Sequence, residues 1–158
     1  MTENQKRLVI AASIATAIAI PAEGLRQYAY RDTGGILTVC YGHTGTNVEK
    51  GKKFSLDECK ELLTQDMKNA VETVDRCVPN LPTNVLAAFS DAVYNMGPKI
   101  ACDVNRSTAA KYLKQGKYEL ACKELPKWNK AMIGDRLTAL PGLTKRRQQE
   151  MNVCLGVQ

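Results

Sequence analysis

Residues 8–20, LVIAASIATAIAI, carry no charge and directly follow the cations Lys6 and Arg7. As a helix rising about 1.5 Å per residue the run reaches ~20 Å, against a hydrocarbon core of ~30 Å. That is short for a permanent anchor. Leu8, Val9, Ile10, Ile14, Ile18 and Ile20, at roughly 0.3–0.6 kcal/mol each, favour insertion by ~2–4 kcal/mol, and Ser13, Thr16 and Pro21 reduce that figure. Insertion is therefore marginal and reversible. Three fates fit these residues. They form a weak span, or a cleaved signal peptide ending in the small-residue pattern Ala17-Ile18-Ala19, or a buried first helix with Ile10, Ile14 and Ile18 along one stripe. The first and third are compatible at different times. Either export route leads to an oxidising compartment, where the cysteines at 40, 59, 77, 102, 122 and 154 are expected to pair, with 15 pairings open.

The composition of the whole chain is that of a globular protein, 44% hydrophobic and 24% charged, long enough for one core or a core shared by two small lobes. A formal charge of +6 favours an anionic partner: nucleic acid, an acidic membrane surface or an acidic polysaccharide. The cysteines lack C-x-x-C spacing and His43 is the only histidine, so no metal or other cofactor is expected.

Residues 28–47 are rich in β-branched, aromatic and glycine residues and predict a small irregular sheet turning at Gly34-Gly35. Ser55 and Glu58 form a capping box ahead of Leu56, Cys59, Leu62, Leu63, Met67, Ala70, Val71 and Val74, whose spacing predicts one long helix ending near Cys77. A second helix is expected from Thr83 to the stop at Gly97-Pro98, burying Leu86, Phe89, Ala92, Val93 and Met96. Shorter helices follow at about 107–115, 117–125 and 144–155, the last capped by Thr144. The fold class is thus α+β, mostly helical and two-lobed, with a small sheet in the N-terminal lobe and a long connecting helix. Such lobes enclose ligand clefts.

The chemistry concentrates in EGLRQYAYRDTGGILTVCYGHT, which places Glu23 at the end of the first helical stretch, Asp32 in the turn region and Thr38 in the strand. Glycoside hydrolysis needs a protonated carboxylic acid for the leaving oxygen and an ionised carboxylate for the incoming water. An acid pair at this spacing does not by itself decide the function.

The pattern E-G-x7-D-x5-T ending in G-H-T, then S-L-x-E-C and V-Y-N-M-G, resembles the phage-type lysozymes, the endolysins of glycoside hydrolase family 24, across most of residues 20–155. The resemblance implies that Glu23 is the general acid, that Asp32 positions or activates the water, and that Thr38 helps orient it. It implies hydrolysis of the β-1,4 bond between N-acetylmuramic acid and N-acetylglucosamine in bacterial peptidoglycan, with inversion and carboxyl groups roughly 6.5–9.5 Å apart. The apolar run further resembles the signal-anchor-release subgroup, exported tethered and inactive and then released to refold. On that reading residues 1–22 are the signal-anchor-release segment, tethered to the host inner membrane through residues 8–20. Residues 23–158 are the catalytic domain: a small lobe at about 23–55, the connecting helix at about 56–77 and a helical lobe at about 80–158. The enzyme faces the periplasm while tethered and lies in it after release, as a monomer. Signal cleavage after Ala19 or Ala22 strips away the helix that should hold Glu23, which favours retention.

Tyr94 and Asn95 match the family's cleft wall and are expected to meet the sugar, with a core role for the tyrosine as the alternative. His43 is expected to pair structurally with Asp66 on the long helix rather than to move protons. Arg146 and Arg147 either pair with Glu23 across the core or form a solvated basic face. Trp128 is expected in the core. Position in the resembling fold implies disulfides Cys40–Cys59, Cys122–Cys154 and Cys77–Cys102, each stabilising by about 3 kcal/mol before strain. Some members of the subgroup carry a redox-controlled cysteine in place of the aspartate, and the presence of Asp32 argues against thiol control here. The rival readings are a non-catalytic wall-binding or membrane-tethered protein and a lytic transglycosylase. A nucleic-acid partner is not expected, since aromatics are few and the leader points outward.

Overall fold

A capping box opens the first helix: Thr2 Oγ1 accepts from the Gln5 amide, and Gln5 Oε1 accepts from the Thr2 amide. From there the leader runs as α1, Glu3–Glu23, with Pro21 in its last turn. The computed structural model describes residues 1–32 and 34–157; Thr33, in the expected turn, and Gln158, at the end of the expected helical lobe, lie outside the described residues. Among these, α1 is the one helix long and apolar enough to cross a membrane.

In this structure α1 packs on the protein, chiefly on α3 (Thr83–Met96), with further contact to α2 (Leu56–Cys77) and α7 (Pro141–Leu155). The packed stripe is not the expected one. Ala11, Ala15 and Ala19 are fully buried together with Ile18, while Ile10 is 52% exposed, Val9 53%, and Ile14 only partly buried. Small side chains let α1 lie close to α3, which has its own fully buried alanines Ala87, Ala88 and Ala92, so backbone proximity outweighs isoleucine burial. Arg7 fastens the start of the helix, donating to Asp75 Oδ1 at 2.7 Å and to the Leu81 carbonyl at 2.8 Å.

The small lobe holds an antiparallel sheet in the order β1 (Arg26–Arg31), β2 (Leu37–Cys40), β3 (His43–Thr44), with an irregularity between Arg26 and Tyr30. The long helix spans Leu56–Cys77 behind the Ser55–Glu58 capping box and buries Cys59, Leu63, Met67, Ala70, Val71 and Val74. Buried on nearly every side, α3 forms the centre of the core; only Met96, at its end, is less covered than expected.

Past α3 the chain makes α4 (Lys99–Cys102), α5 (Thr108–Lys114, capped by Ser107), α6 (Tyr118–Glu124) and a 3₁₀ turn at Leu125–Lys127, followed by Trp128, which is partly buried against the core. Two departures follow. An unexpected hairpin pairs β4 (Lys130–Ile133) with β5 (Arg136–Ala139) around Gly134-Asp135, so solvated that no alternation of polar and apolar residues marks it. The last helix begins at Pro141 rather than after Thr144, because proline suits the first helical position. Thr144 instead lies in the first turn and donates to the Leu140 carbonyl.

The bridges are Cys40–Cys59, Cys77–Cys102 and Cys122–Cys154, at Cα separations of 5.0, 5.3 and 5.6 Å, matching the pairing implied by the resemblance. They tie β2 to the start of α2, the end of α2 to α4, and α6 to α7. The alanine seam makes a direct prediction. Ala15→Leu should lower the free energy of unfolding in urea by about 1–3 kcal/mol through overpacking, whereas Ile10→Ser should change it by less than about 0.5 kcal/mol.

Candidate active site

Glu23 is the last residue of α1, so its position is set by how that helix docks. Its carboxylate is 18% exposed, and Oε1 accepts from Arg146 Nη1 at 2.5 Å. The same guanidinium forks onto Asp91 of α3, Nε to Oδ2 at 2.9 Å and Nη2 to Oδ1 at 2.8 Å. Burial works against the Arg146 charge, but hydrogen bonds and attraction from Asp91, then from Glu23, more than offset it and hold the group still more firmly protonated. Sequence reasoning missed Asp91. Its signal was a charge inside the apolar helix FSDAV, which is costly unless a cation meets it.

On the sheet side, Gly42 (φ +85°) lies so close that a Cβ there would come within 2.8 Å of Glu23 Oε2. Only glycine combines that backbone with that approach. Two residues earlier Cys40 also adopts a left-handed backbone, φ +62°, and its bridge to Cys59 anchors this sharp turn to α2.

Asp32 is held by its own loop. Its Oδ1 accepts from the amides of Gly34 at 2.9 Å and Ile36 at 2.8 Å, which fixes the side chain without any distant partner. Tyr30 lies within electrostatic reach of both carboxylates: burial raises its pKa first, then Glu23, with Asp32 adding to the rise and Arg26 opposing it. The Arg26 guanidinium sits 4.6 Å from the centre of the Tyr30 ring. Thr38 is the cross-strand partner of Tyr30 and is buried, its hydroxyl donating to the Ile36 carbonyl at 2.8 Å. Tyr30, which sequence reasoning did not single out, thus lies within electrostatic reach of Glu23 and Asp32 and opposite Thr38 in the sheet.

The other candidates separate. His43 is nearly buried, Nδ1 at 2.6 Å from Asp66 Oδ2 and Nε2 at 2.7 Å from Asn47 Oδ1, so both ring nitrogens face oxygens and the imidazolium is the form that satisfies both. Burial opposes its charge, but Asn47 and Asp66 outweigh burial and raise the pKa. Tyr94 lines an open cavity of about 250 Å³ with Gly42, Thr44, Asp66, Asn69 and Val93. Its hydroxyl donates to the Tyr41 carbonyl and its pKa is raised, first by burial and then by Glu23. Asn95 Oδ1 accepts from Arg147 Nη2 at 2.8 Å. Arg147 does not reach Glu23 either: it pairs with Glu150, Nε to Oε1 at 2.6 Å, both fully buried. Neighbouring helical residues project about 100° apart, so consecutive arginines cannot share one distant carboxylate. Among the described residues, no three His, Cys, Asp or Glu side chains converge as a metal-ligand set.

A family model described as phage lysozyme matches residues 21–150. The SAR-endolysin of Bacteriophage PS119 is 36% identical, covering 84% of this chain and 76% of its own. That of Bacteriophage PS34 is 33% identical, over 98% of this chain and 96% of its own. Among solved structures, the muramidase domain of SpmX from Asticaccaulis excentricus superposes with a TM-score of 0.77 at 25% identity, covering 89% of this chain and 94% of that one. The active form of the P1 phage endolysin Lyz has a TM-score of 0.77 at 21% identity, over 90% and 83%, which bears on the fold alone.

The His43 pair predicts how stability depends on pH. Because the folded pKa is raised, the pair's contribution is fully present below the unfolded value of about 6.5 and is lost as pH rises through the folded pKa. Asp66→Asn should therefore lower Tm by about 2–4 °C at pH 5, as expected from losing ~1 kcal/mol. Thermal melts at pH 10 should show a smaller difference.

Proposed function

Because the chain belongs to the phage lysozyme family and is a peptidoglycan-degrading muramidase, we propose that Glu23 is its general acid, protonating the glycosidic oxygen as the bond to N-acetylmuramic acid breaks. Asp32 orients the incoming water on the opposite face of the sugar, and Thr38 supports that water from the strand. The reaction is hydrolytic and inverts the anomeric carbon. Loop amides hold Asp32 as an acceptor, as a water-orienting carboxylate requires. Tyr94 forms part of the cleft wall, beside the cavity it shares with Gly42 and Asp66. Positive charge aids capture by the anionic wall.

The observation that carries this reading is that Glu23 ends α1 and meets Arg146 only when α1 lies on α3 and α7. The same helix is apolar enough to enter a bilayer, and the relatives' SAR-endolysin names fit a membrane-tethered export form. While α1 is in lipid, Glu23 is kept at the membrane, away from Arg146 and Asp91, and the enzyme is inactive. Release lets α1 dock and completes the site. On this reading the chain is tethered to the inner membrane facing the periplasm, then works in the periplasm as a monomer, with α1 retained and not cleaved.

Turbidity loss of purified peptidoglycan tests the acid. Glu23→Gln should reduce the rate by about 10²–10⁴-fold, and an active Glu23→Gln protein would remove the assignment. Proton NMR of the first product formed should show the α-anomer at a reducing end. A 1,6-anhydro end would instead identify a transglycosylase.

A further inference from the structure

Docking α1 on the protein leaves one of its faces without a partner. Lys6, Val9, Ile10, Ser13, Ala17 and Ile20 are all exposed and recur every three or four residues, with Val9 and Ile10 side by side, so they line one outward stripe. From Val9 to Ile20 that stripe carries no charge. Its one polar side chain, Ser13, donates its hydroxyl to the Val9 carbonyl, so covering the stripe strands no donor. The same helix is apolar enough to cross a membrane, and its docked form still turns part of that apolar surface outward.

Val9 also borders an open groove of about 790 Å³ between α1 and α2, lined by Leu8 and Ala12 from α1 and by Thr64, Lys68 and Val71 from α2. Lys68 is exposed at its rim, and Lys60 and Arg76, also exposed, continue the same row two turns to either side, where Glu72 is the one acid. The acids nearest the start of α1 are already engaged, Glu3 by Lys6 at 3.0 Å and Asp75 by Arg7 at 2.7 Å. An uncharged helix face thus lies beside a groove with an apolar floor and a cationic edge. A bilayer of anionic phospholipid presents the complement of each, acyl chains for the first and phosphates for the second.

We propose that the outer stripe of α1 and the α1–α2 groove form a docking surface for anionic phospholipid, so that the folded enzyme, with α1 docked, lies on the membrane surface instead of diffusing away from it. The proposal rests on the reading that α1 is retained and docks after release. Ile10 precedes Glu23 by 13 residues, about 20 Å along the helix, so lipid contact through the N-terminal half of α1 leaves the proposed acid clear of the bilayer. A second copy of the chain fits the same surface less well, because a two-fold contact sets the cationic row of α2 against itself.

Sedimentation of the purified full chain with lipid vesicles tests this. The protein should partition onto vesicles of mixed phosphatidylglycerol and phosphatidylcholine, far less onto phosphatidylcholine alone, and an alkaline carbonate wash should remove it, as it removes proteins that do not span. The double variant Val9→Ser, Ile10→Ser changes side chains that already face water. It should weaken partitioning about tenfold, with Tm and turnover of purified peptidoglycan unchanged. Lys68→Gln should weaken it about fivefold at low salt. Failure to bind anionic vesicles, equal binding by the double serine variant, or retention through the carbonate wash would overturn the proposal. Dimers in solution that the serine variant abolishes, without vesicle binding, would give the surface to a second copy and overturn it as well. Cells in which the chain is cleaved near Ala19 or never spans the membrane fail the release reading instead, and vesicle binding by the full chain then still decides the docking surface.

Discussion

The guanidinium of Arg146 is the point at which α1, α3 and α7 meet, and the geometry of arginine is what allows it. Two of its nitrogens match the two oxygens of Asp91, and a third remains for Glu23. A lysine in its place would offer a point charge without that fork. Burying such a group costs several kcal/mol in desolvation, so its value lies less in stability than in the single arrangement it permits. Apolar packing alone would let α1 slide along its alanine seam by small steps. The demand of Arg146 for a second carboxylate fixes the register at which Glu23 arrives.

On the proposed reading α1 has two solvents to satisfy. In lipid its aliphatic side chains are all useful, and the balance for insertion is only ~2–4 kcal/mol. On the protein, the alanines provide close approach to α3 while Val9, Ile10 and Ile20 stay largely in water. Neither environment satisfies the helix completely. The exposed aliphatics weaken the docked state, and the Arg7 contact with Asp75 and the Arg146 contact with Glu23 strengthen it. Two states of similar free energy are what a reversible tether requires.

These trade-offs explain which parts of the molecule are legible in sequence. The ends of α2 and α3 are local events, set by a Ser55–Glu58 box and a Gly97-Pro98 stop, and both helices fall where those residues put them. The proposed reacting set, Glu23, Asp32 and Thr38, comes from a motif whose spacing is short. The alanine seam was not, because hydrophobicity ranks Ile10 above Ala11 while helix approach ranks them the other way. The roles of Asp91, Arg147 and Glu150 depend on partners 55 residues away or on the direction in which consecutive helical side chains point. The hairpin at Lys130–Ala139 buries too little to leave a periodic trace.

The two carboxylates of the site are supported in opposite ways, and this difference bears on how the site is assembled. Asp32 is held by amides within four residues of itself, and the strand turn behind it is braced by Cys40–Cys59. That half of the site is complete as soon as the small lobe folds. Glu23 draws its support from Arg146, 123 residues away, and from the docking of a helix with an alternative home. With the proposed roles, the water-holding half is local and the proton-donating half is distant, so only one part is left to assemble. Gly42 leaves the space for that part, since any larger residue would occupy the place of the arriving carboxylate. On the proposed reading, control of the enzyme needs no separate inhibitor or lid, because the position of α1 is itself the variable.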